Sequence, residues 1–211
     1  VLGVLQALTA WIPSDGWPQG VSALAQTIAE VHMPSVLAFV ALLHLAEAVL
    51  VWATANRLGM PVFLEGKRGK LVGGFYLQGF WPVPLLLLVP APNAGAGMEA
   101  ALPWQPLFGG SLWENGWLLL AFPVVVGFST TTVSRHPEEK ARLSARRLFG
   151  YAVLLGMAAA AAELAPVAPV TLGMALLCML LHECVYWLGR AEEKTRSPLF
   201  VHEGNGLKVL A

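Results

Sequence analysis

Four ionisable side chains lie inside stretches that are otherwise apolar, and their types could support chemistry. His44 and Glu47 stand one helical turn apart, and His182 and Glu183 are adjacent. Imidazole and carboxylate groups bind metals and move protons. Because charge inside a membrane is costly, such groups usually face the interior of a bundle and pair with one another. We therefore predict that these residues form an intramembrane polar cluster held by interhelical hydrogen bonds.

A metal site is the main alternative for these residues. The dipeptide His182-Glu183 is similar to the start of the His-Glu-x-x-His zinc motif, in which the histidines bind zinc and the glutamate activates water. Tyr186 stands where the second histidine should be, and Cys178 is the nearest substitute ligand. A cysteine on an apolar helix is more often a packing residue. We predict no catalytic residue, no metal and no cofactor. An unusual intramembrane metalloprotease and a small transporter with a polar relay stay open as alternatives.

The composition argues against a soluble globular domain. Of 211 residues, 56% are hydrophobic and 12% are charged, against roughly 45–50% and 25% in ordinary soluble domains. The 13 basic residues balance the 13 acidic ones, so no net basic field exists for a nucleic-acid partner. The partner that the composition predicts is the lipid bilayer.

Apolar stretches of about 20 residues are long enough to cross a bilayer as helices. Their number predicts an all-α, polytopic membrane helix bundle of about six transmembrane helices. In the third stretch, Pro82, Pro84 and Pro90 allow an alternative in which the helix begins near Pro82 and Val72 to Phe80 form an interfacial or hairpin segment. The predicted spans are residues 1–12, 34–56, about 72–92, 117–133, 148–165 and 168–189.

The basic residues predict the orientation. If every predicted span crosses, all basic loops fall on one side of the membrane, and the positive-inside rule makes that side cytoplasmic. Both ends of the chain are then cytoplasmic. The basic residues are Arg57, Lys67, Arg68, Lys70, Arg135, Lys140, Arg142, Arg146, Arg147, Arg190, Lys194, Arg196 and Lys208.

Four short motifs carry a family resemblance. They are the His44-x-x-Glu47 span, the segment from Pro61-Val62-Phe63 to Gly73-Gly74-Phe75, the run Phe80-Trp81-Pro82-Val83-Pro84, and the alternating Gly206-Leu207-Lys208-Val209-Leu210. Together they resemble the MinJ-like family, multi-pass membrane proteins of Bacillus-like bacteria that end in a PDZ domain. The last motif is similar to the strand that opens many bacterial PDZ domains.

The resemblance implies that the chain is the anchoring part of a longer scaffold or adaptor protein in a bacterial cell membrane. Residues 1–190 would form the transmembrane bundle, and residues 191–211 would be a cytoplasmic linker and the first strand of the PDZ domain. A PDZ domain binds a partner peptide as an added strand. The implied partners are cytoplasmic proteins of cell division or envelope organisation, and the sequence also allows a homo-oligomer.

Overall fold

The computed structural model describes residues 31–65, 71–91, 116–165 and 167–201, together with positions 18, 20–22, 25 and 97. The predicted first span, residues 1–12, lies outside the described residues. So does the predicted PDZ strand at 207–211.

Three long helices coincide with three of the predicted spans. They are α1 (Met33–Ala53), α2 (Pro137–Leu164) and α3 (Ala168–Thr195). Each contains a window that is long and apolar enough to cross a membrane, with mean hydropathies of 2.2, 1.4 and 1.6. The segment 137–147, which carries most of the charged residues of α2, continues directly into the apolar part of the same helix.

The all-α prediction of about six spans is wrong. The third and fourth predicted spans are strands of one antiparallel sheet, whose order is β1-β2-β3 with β4 also pairing with β2. A short 3-10 turn, Ala55–Arg57, leads from α1 into the sheet. The strands are β1 (Gly59–Glu65), β2 (Leu71–Pro90), β3 (Trp117–Thr132) and β4 (Phe200–Val201).

Backbone chemistry explains why the proline-rich stretch becomes a strand. Proline lacks an N–H and clashes with the preceding helical turn, so three prolines within nine residues exclude a regular helix. In β2 the Gln78 N–H donates to Leu58 O at 3.1 Å, on the β1 side, whereas the Ala91 N–H donates to Gly116 O at 3.0 Å. Even-numbered residues of β2 therefore direct their nitrogens to the β1 edge. Pro82, Pro84 and Pro90 are all even-numbered and lie past β1's last partner, Leu77, so no ladder hydrogen bond is lost.

The first half of β2 forms a hairpin with β1. Glu65 pairs with Leu71 and Gly59 with Leu77, in continuous antiparallel register. Val72 to Leu77 thus lie in a hairpin, one of the alternatives for Val72 to Phe80, but β2 continues as a strand to Pro90 where that alternative has a helix beginning near Pro82. At the other edge β3 approaches closely, since a Cβ on Gly74 would lie 2.7 Å from Thr132 O. Beyond the end of β3, Val72 and Gly73 pair with Val201 and Phe200 of β4.

The chain divides into two compact units. In the first, His32 Nε2 lies 3.4 Å from Glu163 Oε2, and Gly116, at φ 83°, starts β3 in a conformation that favours glycine. The core and the contacts of the candidate site described below lie in the second. The first unit is Val1–Leu42, Pro84–Val124 and Leu154–Leu180, and the second is Leu43–Val83, Val125–Val153 and Leu181–Ala211.

The second unit has an apolar core between the sheet and the helices. Leu77 of β2 and Val51 of α1 are fully buried. Ala141 and Ala145, one turn apart on α2, present small side chains that let the sheet approach the helix closely. The core cluster consists of Val51, Ala55, Leu58, Leu77, Phe128, Ala141 and Ala145.

Proline substitutions test the strand assignment of residues 78–90. Leu87 is odd-numbered, so its N–H faces β3, and Leu87→Pro removes a ladder hydrogen bond and costs about 1–3 kcal/mol of stability. Leu86→Pro places the ring on the unpaired edge and costs much less. Thermal unfolding of the purified variants in detergent measures the difference. Equal losses for both variants would indicate a helix, because a helix interior tolerates neither.

Candidate functional site

Three rings from the three helices meet in the second unit. The His44 ring of α1 lies 5.0 Å from Tyr151 of α2 and 6.0 Å from His182 of α3, centroid to centroid, and Tyr151 lies 5.6 Å from His182. The structure thus brings together the two histidines of the predicted polar cluster. Tyr151, which is buried, is a member that the sequence reasoning missed. Rings in tilted or edge contact stabilise helix packing.

The two predicted carboxylates take different positions. Glu47 is half-buried on α1. The Glu183 side chain is 72% exposed, and its Oε1 lies 4.0 Å from His182 Nδ1, which is too long for a hydrogen bond. Within the described ranges, no group of three or more His, Cys, Asp or Glu side chains is placed to hold a metal ion. The metalloprotease alternative therefore has no assembled ligand set among these residues.

Neither cysteine completes a metal-binding group with His182 among the described residues. Cys178 is buried and Cys184 is exposed, and neither forms a disulfide among the described residues. Cys178 is the candidate substitute ligand near His182, but it is not part of any metal-binding group among the described residues. Its burial fits a packing residue.

The densest polar site of the second unit lies at the end of α3. Adjacent Glu192 and Glu193 accept hydrogen bonds from cations of α2 and of the turn before it. We call Glu192, Glu193, Arg135, Lys140 and Arg147 the charge cluster. Carboxylates near a helix C-terminus are opposed by the helix dipole, so these two glutamates need the basic side chains that face them.

Glu192 is the partner of the arginines. Arg135 Nη2 and Arg147 Nη2 both donate to it, the latter at 2.6 Å to Oε2, and Arg196 Nη2 lies 3.3 Å from Oε1. Arg135 also pairs with Glu139 on the first turn of α2. The hydrogen bond to Glu192 raises the pKa of Arg135 above its ordinary value, so this cation stays charged at every physiological pH. Hydrogen bonds between two ionised groups are stronger than hydrogen bonds between neutral groups.

Glu193 is the partner of a buried lysine. Lys140 Nζ donates to Glu193 Oε1 at 2.7 Å, and the Lys140 side chain is only 4% exposed. The other oxygen accepts hydrogen bonds from the Ser134 hydroxyl at 2.9 Å and the Val133 backbone N–H at 3.2 Å. Both carboxylate oxygens are therefore satisfied, as a buried ion pair requires. These bonds tie α3 to the turn that follows β3.

The chain that leaves the charge cluster is held a second time. The Leu199 N–H donates to Val133 O at 2.7 Å, and the next residues form β4 against β2. The Phe200 ring lies 6.0 Å from the Phe75 ring, in edge contact. Ion pairs thus hold the end of α3, and backbone hydrogen bonds hold the residues 199–201 that follow it.

Sequence reasoning found only part of this site. It placed the basic residues of 135–147 and 190–196 on the same side of the membrane and did not pair them with Glu192 and Glu193. A signal was present, because two adjacent acidic residues end α3 while the α2 entry is rich in basic ones. The sequence could not show that the two segments meet.

Neutralising the buried pair tests the charge cluster. Glu193→Gln leaves Lys140 buried without a counter-charge, and breaking a buried pair in this way costs about 3–5 kcal/mol. The matched control is Glu138→Gln, which removes the exposed pair with Arg142 and costs about 0–1 kcal/mol. Thermal unfolding in detergent gives both values. A Glu193→Gln loss as small as the control's would show that the pair does not hold the helices.

Comparisons with known proteins give no match. No protein-family model matches the sequence, no curated protein matches it, and no solved structure matches its fold. The charge cluster and the ring cluster of His44, Tyr151 and His182 thus have no matched counterpart in these comparisons.

Proposed function

We propose that this chain is the membrane anchor of a bacterial scaffold or adaptor protein and that it holds the following cytoplasmic segment at a fixed place beside the membrane. The observation that carries the proposal is the double attachment of the chain after α3. The charge cluster fixes the end of the helix, and β4 adds the next residues to β2. Such an arrangement sets the direction in which the chain continues.

The basic residues support a cytoplasmic location for this attachment. Arg57 follows α1, the basic residues 135–147 start α2, and Arg190 to Arg196 end α3. If α1, α2 and α3 each cross the bilayer, these groups share one side. The positive-inside rule assigns that side to the cytoplasm.

This orientation does not depend on the strands. β2 and β3 are antiparallel neighbours, so together they leave and return to the same side whatever their depth. Replacing two predicted spans by this pair changes the number of helices and keeps the basic residues together. The basic residues therefore support the same orientation for three membrane-crossing helices as for six spans.

The proposed segment beyond residue 201 is a PDZ domain, as the MinJ-like resemblance implies. Such a domain would recruit cytoplasmic partners by binding their peptides as an added strand. An anchor that fixes where the domain begins suits a scaffold, because a scaffold acts through the position of its partners. No catalytic group is needed for this role.

A single labelled residue tests the proposal. Ser197 is exposed and lies between the charge cluster and β4. We expect a spin label on Ser197→Cys, with Cys178 and Cys184 replaced by serine, to be immobilised in the intact protein. Adding Glu193→Gln should increase its mobility, because the helix end is released, while Glu138→Gln should leave the spectrum unchanged.

The same variant reports the side of the membrane. A membrane-impermeant thiol reagent should label the Ser197→Cys variant in inverted vesicles and not in intact cells. Labelling in intact cells would contradict the cytoplasmic location. The coding sequence after Ala211 gives a further check, since another series of membrane spans there would contradict the scaffold, whereas a PDZ pattern supports it.

A further inference from the structure

Trp52 and two arginines form an unusual group at the end of α1. The guanidinium carbons of Arg142 and Arg146 lie 5.5 and 5.4 Å from the Trp52 ring centroid. The two arginines are four residues apart on α2 and therefore share one face. Trp52 is 43% exposed. Two guanidinium groups on one indole place more positive charge there than packing requires, because the two groups repel each other.

A cleft of about 360 Å³ opens beside this group, between the last turns of α1 and the third and fourth turns of α2. Of its lining residues only Arg146 is charged. Val49 and Phe149, both more than half exposed, form its apolar walls. The volume is at the small end of the range for ligand pockets, so the cleft suits one flexible apolar chain rather than a whole large ligand.

The charge at the rim is only partly balanced by the protein. Arg142 pairs with Glu138 at 2.7 Å, with both side chains about half exposed. In the part of the chain that the structure describes, Arg146 has no carboxylate partner. A guanidinium with free donors binds phosphate oxygens well, because its planar N–H groups match them in pairs.

We propose that this cleft binds an anionic phospholipid of the inner leaflet, with the phosphate at Arg146 and Arg142 and one acyl chain along Val49 and Phe149. The site combines an apolar wall, an interfacial tryptophan and an excess of positive charge, which together match a molecule that is apolar at one end and anionic at the other. Tryptophan is favoured at the headgroup level, and basic pockets between membrane helices on the cytoplasmic side bind anionic headgroups. The inference rests on the proposed membrane embedding and orientation.

The chain offers a matched control for the arginine. Arg190 lies 5.4 Å from the Tyr186 ring centroid, so it makes the same kind of cation–π contact with the same charge. It does not line the cleft. Removing Arg190 therefore changes the net charge as Arg146→Gln does and leaves the proposed site intact.

The test is native mass spectrometry of the purified full chain, released from detergent and titrated with lipid. We expect dioleoyl phosphatidylglycerol to bind more tightly than dioleoyl phosphatidylcholine, which has the same acyl chains. Arg146→Gln should weaken phosphatidylglycerol binding about fivefold, the effect of about one basic contact, and bring it near the phosphatidylcholine value. Arg190→Gln should leave the preference unchanged.

A second variant separates the cleft from the charge. Val49→Trp fills the apolar space without altering any ionised group, and it should weaken the binding of both lipids. Equal binding of the two lipids by the unaltered protein would overturn the proposal, as would equal effects of Arg146→Gln and Arg190→Gln. Glycerol 3-phosphate that competes as well as the lipid would also overturn it and indicate a site for a free phosphate. None of these results depends on a following scaffold domain, so the outcome is separate from the labelling test at Ser197.

Discussion

Two adjacent glutamates at the end of an apolar helix impose the constraint on which the rest of the second unit depends. Glu192 and Glu193 lie where the helix dipole opposes negative charge, and Glu193 shares a buried environment with Lys140. Such charges are tolerated only when every partner is present. Satisfying them requires α2, α3 and the turn after β3 to meet in one arrangement. Apolar contact between the helices alone would not select it, because the hydrophobic effect is not directional.

The ring cluster and the cleft follow from that arrangement. Once the charge cluster fixes α2 against α3, Tyr151 and His182 are about three helical turns from Lys140 and Glu193 on the same two helices, and their rings meet with His44. On another face of α2, Arg142 and Arg146 reach Trp52 of α1. Polar contacts thus join the three helices on more than one face. Of the four residues in the predicted polar cluster, His44 and His182 take part in this network through ring contacts, whereas the Glu183 side chain is exposed.

Residue types predicted the helices well and the strands poorly, for a physical reason. Apolar length alone identifies a span, and α1 has both the length and the helix-forming residues. β2 has the same length and apolarity, so length could not separate it from a helix. The distinguishing signal was the spacing of Pro82, Pro84 and Pro90, all on one strand edge, together with the glycines Gly73 and Gly74. A strand tolerates prolines on an unpaired edge, and a helix tolerates none of them in its interior.

The candidate site contains a contact that local sequence patterns do not reveal. His44 and His182 were found because an ionisable group in an apolar helix stands out locally. Glu193 and Lys140 were not identified as a pair. Each lies in a charged segment, where exposure to solvent explains a charged residue equally well. Their pairing depends on how α2 and α3 align, which no local pattern encodes. A buried lysine is nevertheless informative once its position is known. Lys140 would cost several kcal/mol of stability if it were buried without a partner. Its pairing with Glu193 therefore fixes how the start of α2 meets the end of α3, and the chain leaving α3 is held in place as a consequence.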